Sequence, residues 1–140
     1  RHADQMAEQW HYALISNSRT RSFKTLDKAI CQRHANFIYK NLGQMYFAED
    51  CHKAVASSFD TIGFAEDYFA RGVPLEEVIY ALILMRRRIW LHSEQQSLYV
   101  TPEDMNEVVL SINRVLLVFD YASYFVASRY REMSRTTSRL

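Results

Sequence analysis

The chain has 140 residues, 49% of them hydrophobic and 24% charged, with a formal net charge of +1. That is enough apolar chain for one domain with a real core, and too little charge for a global field that would recruit nucleic acid or an acidic membrane. With three Gly and two Pro there is little turn chemistry for a β fold, so the expected class is all-α, a five-helix antiparallel bundle with a long C-terminal helix.

Taken in order, the first helix is expected over about 3–16, with Met6, Trp10, Ala13 and Leu14 on its inner face, before the polar stretch NSRTRS reads as a loop. Thr25 is the expected N-cap of a second helix over 25–46 carrying Ile30, His34, Phe37, Ile38 and Met45, with Gly43 as a weak point. The acidic pair Glu49 and Asp50 favours a fresh N-terminus, opening a third helix over 49–71 with Cys51, Val55, Phe59, Ile62, Ala65 and Phe69 at steps of three or four. Gly72 ends it.

Pro74, Glu76 and Glu77 then open a fourth helix over 74–96, whose Leu75, Val78, Ile79, Leu82, Met85 and Ile89 share one face. After SLYVT, the run Thr101, Pro102, Asp104 is a helix start, and the fifth helix is expected over 102–133, leaving 134–140 as a linker to a further module. Its first stripe, Met105, Val109, Ile112, Leu116, Phe119, Ser123, Val126, Tyr130 and Met133, repeats like a heptad seam. A second stripe, Leu110, Leu117, Tyr121 and Tyr124, lies around the cylinder. It fits either a central helix surrounded by the others or a helix–helix dimer contact.

The longest uninterrupted apolar run, Val78 to Met85, is far short of the roughly 20 residues that a membrane-spanning helix needs. Cys31 and Cys51 have no Cys-x-x-Cys spacing and read as reduced, buried thiols, which suits a cytoplasmic protein. The start at Arg1, with no Met and no signal-peptide pattern, looks like a domain cut from something longer.

No nucleophile elbow, Gly-rich phosphate loop or paired-cysteine metal site occurs, so no catalytic residues are assigned. The pairs Glu8/His11 and Glu49/His52 have the Glu-x-x-His spacing of di-iron bundles, but helix two offers no further Glu ligand. A metal-dependent bundle enzyme is therefore a remote reading, with Glu49 and His52 as its weak candidates. His34 lies among Ile30, Phe37 and Ile38. It is either a hydrogen-bonded core histidine or an axial haem ligand in a haem-binding sensor, with His52 and His92 as lesser candidates.

Arg86 is the odd residue of the Arg86, Arg87, Arg88 triplet, because its stem belongs on the buried face of helix four. It needs Asp120 or Asp67 as an ion-pair partner, or else it lines an anion-binding pocket for a small ligand, since Arg favours bidentate carboxylate or phosphate contacts. Tyr80 is a further candidate among the aromatics of helices two to four. Arg129, Arg131, Arg135 and Arg139 read as a solvated, basic C-terminal end rather than a nucleic-acid contact.

The run GVPLEEVIYALILMRRRIW at Gly72 to Trp90, preceded by NSRTRSF at Asn17 to Phe23, resembles the N-terminal domain of RsbR/RsbRD-type RsbT co-antagonist proteins. Related domains stand ahead of regulatory or histidine-kinase modules in bacterial signalling proteins. The resemblance implies a globin-like, non-catalytic input domain that forms a homodimer and passes a signal down its last helix to a fused output domain. It supplies no ligand residues.

Overall fold

A computed structural model describes residues 2–97 and 102–138, with side chains over 2–92, at 110 and over 113–137. The regular secondary structure of the described residues is helix alone: α1 (His2–Ser16), a 3-10 segment (Ser18–Thr25), α2 (Lys28–Lys40), α3 (Leu42–Phe47), α4 (Cys51–Thr61), α5 (Phe64–Ala70), α6 (Leu75–Ser97) and α7 (Pro102–Ser138). The expected five helices thus become seven α-helices and a 3-10 segment, because two of the long helices are interrupted. None of the described helices is long and apolar enough to cross a membrane.

Each interruption has a local cause. Asp27, not Thr25, caps α2 by accepting from the Ala29 N–H at 2.9 Å, since the chain before it is already committed to the 3-10 segment. At the other end the Asn41 side-chain amide donates to the Phe37 carbonyl at 2.8 Å, closing α2 and leaving α3 as a separate turn. Asp50 caps α4, accepting from the Lys53 N–H at 3.1 Å. Gly63, at φ +61, then divides the expected third helix into α4 and α5.

The stretch read as a loop is ordered by its hydroxyls. The buried Thr20 donates to the Leu14 carbonyl at 2.7 Å, while the backbone N–H and hydroxyl of Ser22 donate to the Glu77 carboxylate at 2.8 and 2.7 Å. This fastening seats Phe23 in the core, a position that a polar run gave no reason to expect.

The end of α5 follows the expected glycine stop. Gly72, at φ +75, donates to the Phe69 carbonyl, and Val73 reaches back to the Tyr68 carbonyl, each at 3.0 Å, the paired closure of a Schellman motif. A methyl group at Gly72 would meet open space, so the cost of one is backbone strain alone. Gly72→Ala should lower stability by about 1 kcal/mol. A urea midpoint indistinguishable from that of the native chain would show that the turn relaxes without cost.

α6 is fastened to α1 and α2 through its backbone carbonyls. The Trp10 indole N–H from α1 donates to the Ala81 carbonyl, and the Tyr39 hydroxyl from α2 donates to the Met85 carbonyl, both at 2.8 Å and both buried. Burial pushes the Tyr39 hydroxyl well above the usual phenol range, so it remains a donor. Val78, Ala81, Leu82, Leu84, Met85 and Ile89 form the buried face of α6, with Leu75 and Ile79 half-buried at its margin.

α1 packs on α2 and α6, and α7 runs across α3, α4, α5 and α6. Its inward residues are Val115, Val118, Phe119, Ala122, Val126 and Tyr130, with the Tyr130 hydroxyl donating to the Val73 carbonyl at 2.8 Å. α7 continues helically through the stretch expected to be a linker, as far as Ser138. The side chains of Met105, Val109 and Ile112, the connection at 98–101 and Arg139 lie outside the described residues.

Candidate functional site

Three places hold the residues singled out from the sequence. The first is a buried polar chain through His34. The imidazole has no solvent exposure, Nε2 lies 2.8 Å from Asp67 Oδ2, and Nδ1 lies 2.9 Å from the Tyr68 hydroxyl. A carboxylate only accepts, so Nε2 carries the proton and donates to Asp67, while Nδ1 accepts from the Tyr68 O–H. The ring packs against Phe64 and edge-on to Tyr68, at centroid distances of 5.4 and 5.1 Å.

Burial lowers the His34 pKa despite the opposing effect of its hydrogen bond to Asp67. The Asp67 carboxylate is shared: Arg33 lies 3.2 Å and Arg71 3.8 Å away, so much of its field is neutralised before it reaches the ring. The Tyr68 hydroxyl is raised well above its ordinary value, first by burial and then by the neighbouring Cys31. Burial likewise raises the Cys31 thiol, which is free, as is the half-buried Cys51. The result is a chain running from the Asp67 carboxylate through the neutral His34 ring to Tyr68 and Cys31, in which each group holds the next in position. Both nitrogens of His34 are within hydrogen-bond distance of protein groups, as in a hydrogen-bonded core histidine.

The second place is the outward side of α7. Leu110, Leu117 and Tyr124 are spaced by sevens and are 57%, 43% and 64% exposed. Tyr121 is half-buried beside them, stacked on the exposed His52 with ring centroids 4.8 Å apart. His52 also meets Tyr124 edge-on at 5.9 Å. Phe47, at the end of α3 and 67% exposed, lies under the Arg114 guanidinium, 5.2 Å from its ring centroid, and extends the apolar surface sideways. Glu49 is exposed, and the described residues contain no group of three His, Cys, Asp or Glu placed to hold a metal ion.

The third place is a cleft between α6 and α7, about 640 Å3 in volume, lined by Arg86, Arg87, Ile89, Trp90, Asn113, Val115 and Leu116. Arg86 is half-buried there, and Asp120 is exposed farther along α7; no ion pair joins them among the described residues. Asp67, the other expected partner, is held instead by His34, Arg33 and Arg71. Tyr80 is half-buried on α6 beneath the Arg19 guanidinium, 5.6 Å from its ring centroid.

One arginine matters more than its sequence context indicated. Arg129, read as part of a solvated basic end, donates from Nε to Glu66 Oε2 at 3.0 Å and from Nη1 to Glu132 at 2.9 Å. It ties α7 to α5. Only the Arg129/Glu132 spacing is visible locally, since the partner on α5 lies 63 residues away in the chain. No family model, curated protein or solved structure matches this chain. What the geometry defines is a class, an all-helical domain with a polar chain reaching from Asp67 into its core and an exposed apolar helix face.

Proposed function

We propose that this chain is a non-catalytic, cytoplasmic signal-input and dimerisation domain of the kind its Gly72 to Trp90 segment resembles, acting on an output module fused beyond α7. One observation carries the reading: the exposed Leu110, Leu117 and Tyr124 series on the outward side of α7. Core burial on the same helix follows Val115, Val118, Phe119, Ala122, Val126 and Tyr130, whereas the exposed series keeps a strict spacing of seven, the repeat that pairs helices. With Phe47 and Tyr121 beside it, the face is an apolar patch of the sort that marks an interaction surface.

The inner side of α7 touches α3, α4, α5 and α6. A change of packing in any of them has a direct mechanical route to the helix, and a small rotation or shift of α7 would travel along it. Light scattering coupled to size exclusion tests the pairing. The native chain should elute as a dimer and Leu117→Asp as a monomer with unchanged helix content. A native chain that remains monomeric at high concentration sinks the reading, and so does a Leu117→Asp chain that unfolds, because Leu117 would then belong to the core.

A further inference from the structure

We propose that the cleft between α6 and α7 is a binding site for an apolar monocarboxylate. It is walled by a single chain, so the proposal stands whether or not the molecule pairs through α7. The volume of about 640 Å3 lies within the range of roughly 300–1,000 Å3 usual for small-molecule sites. Its walls are chiefly hydrocarbon and indole: Ile89 and Val115 are buried, while Leu116 and Trp90 are exposed at its rim. Such walls take an apolar body and disfavour a sugar or a peptide backbone.

The charge of the cleft determines which apolar body. Arg33, Arg71 and Arg129 each meet a carboxylate of their own chain. Arg86 and Arg87 meet none among the described residues, although Arg86 is half-buried beside apolar groups. A guanidinium that no carboxylate of its own chain engages keeps its fork of N–H donors open, and that fork matches a carboxylate in two parallel hydrogen bonds. Arg86 supplies that fork, Arg87 adds a second positive charge, and Asn113 from α7 offers an amide across the cleft. Two guanidinium groups and one amide suit a singly charged head group better than a phosphate dianion with three oxygens to satisfy.

Calorimetric titration of the native chain with decanoate, kept below its micelle concentration, tests this, with Trp90 emission as the local reporter. Saturable one-to-one binding is expected, accompanied by a change in emission that Trp90→Phe abolishes. Neutral decanamide should bind about tenfold more weakly, and Arg86→Met should weaken decanoate by a similar factor while leaving decanamide unchanged. Arg87→Met, an exposed position at which misfolding is not a concern, should act in the same direction. Equal affinity for decanoate and decanamide would overturn the proposal by reducing the cleft to an apolar groove. Tighter binding of decyl phosphate would overturn it in favour of a phosphate site. An equal response to phosphatidylglycerol vesicles would overturn it in favour of surface adsorption, and no saturable binding would remove it altogether.

Discussion

Trp10→Ala should lower the unfolding free energy by about 3–5 kcal/mol, a large share of the stability of a domain of this size. The indole is fully buried, so the substitution removes its transfer free energy and leaves a cavity between α1 and α6. It also removes the donor to the Ala81 carbonyl, an acceptor that sits in the middle of α6 and away from water. Trp10→Phe separates the two contributions, because it keeps most of the ring and loses only the N–H. Urea unfolding at neutral pH should place Trp10→Phe between the native chain and Trp10→Ala. If Trp10→Ala unfolds with a midpoint close to native, α1 is not fastened to α6 in the way described.

The second large effect concerns the chain of Asp67, His34, Tyr68 and Cys31. His34→Ala should cost about 2–4 kcal/mol, because it opens a cavity and leaves the buried Tyr68 hydroxyl without its acceptor. The same site should make the native chain sensitive to acid. The folded-state pKa of His34 lies below the unfolded value of about 6.5, so the unfolded chain binds the proton first. The stability contributed by the neutral ring is complete above about pH 6.5 and is lost as the pH falls through the interval down to the folded-state pKa. His11, also lowered by burial, acts with the same sign.

Urea midpoints compared at about pH 7.5 and about pH 5.5 should therefore fall for the native chain and fall less for His34→Gln, whose side chain does not titrate there. An identical fall in the two proteins would assign the acid sensitivity to His11 or to the carboxylates and leave His34 a neutral bystander.

The helical class and most of the inward-facing residues were legible because they rest on local signals. Val78, Leu82, Met85 and Ile89 bury as their spacing predicts, Gly72 stops α5, and Asp50, one of the acidic pair that marked a fresh N-terminus, caps α4. The breaks were harder to see. Asn41 and Gly63 divide the expected second and third helices through a side-chain bond and a left-handed backbone, and the apolar spacing runs on across both. The polar stretch from Asn17 breaks the apolar pattern and so reads as a loop; what orders it is Thr20 on the Leu14 carbonyl and Ser22 on the distant Glu77.

The candidate sites divide in the same way. Leu110, Leu117, Tyr121 and Tyr124 stood out by periodicity alone, and whether that stripe faced neighbours or solvent was a question about the other helices. His34 was recognisable as a histidine among apolar residues. Its commitment to Tyr68 and Asp67 depends on how α5 is laid against α2, which no spacing within α2 records. Arg86 drew attention because a guanidinium sits badly on a buried face, yet the choice among Asp120, Asp67 and an open cleft was three-dimensional.

By itself, then, the sequence determined the all-helical class, the limits of α6, the residue types of the core and, on α7, the inward Phe119, Val126 and Tyr130, since these follow from backbone propensity and the helical repeat; Leu116, expected on the same seam, is exposed, and Val115, Val118 and Ala122 bury instead. Only the tertiary structure decided the rest. Asp67 is given to His34 rather than Arg86, Glu66 reaches Arg129, Arg86 and Arg87 face a cleft, and one stripe of α7 is left uncovered. Each of these pairings joins residues far apart in the chain, and which partner wins is set by the packing of whole helices, a quantity that local free energies do not contain.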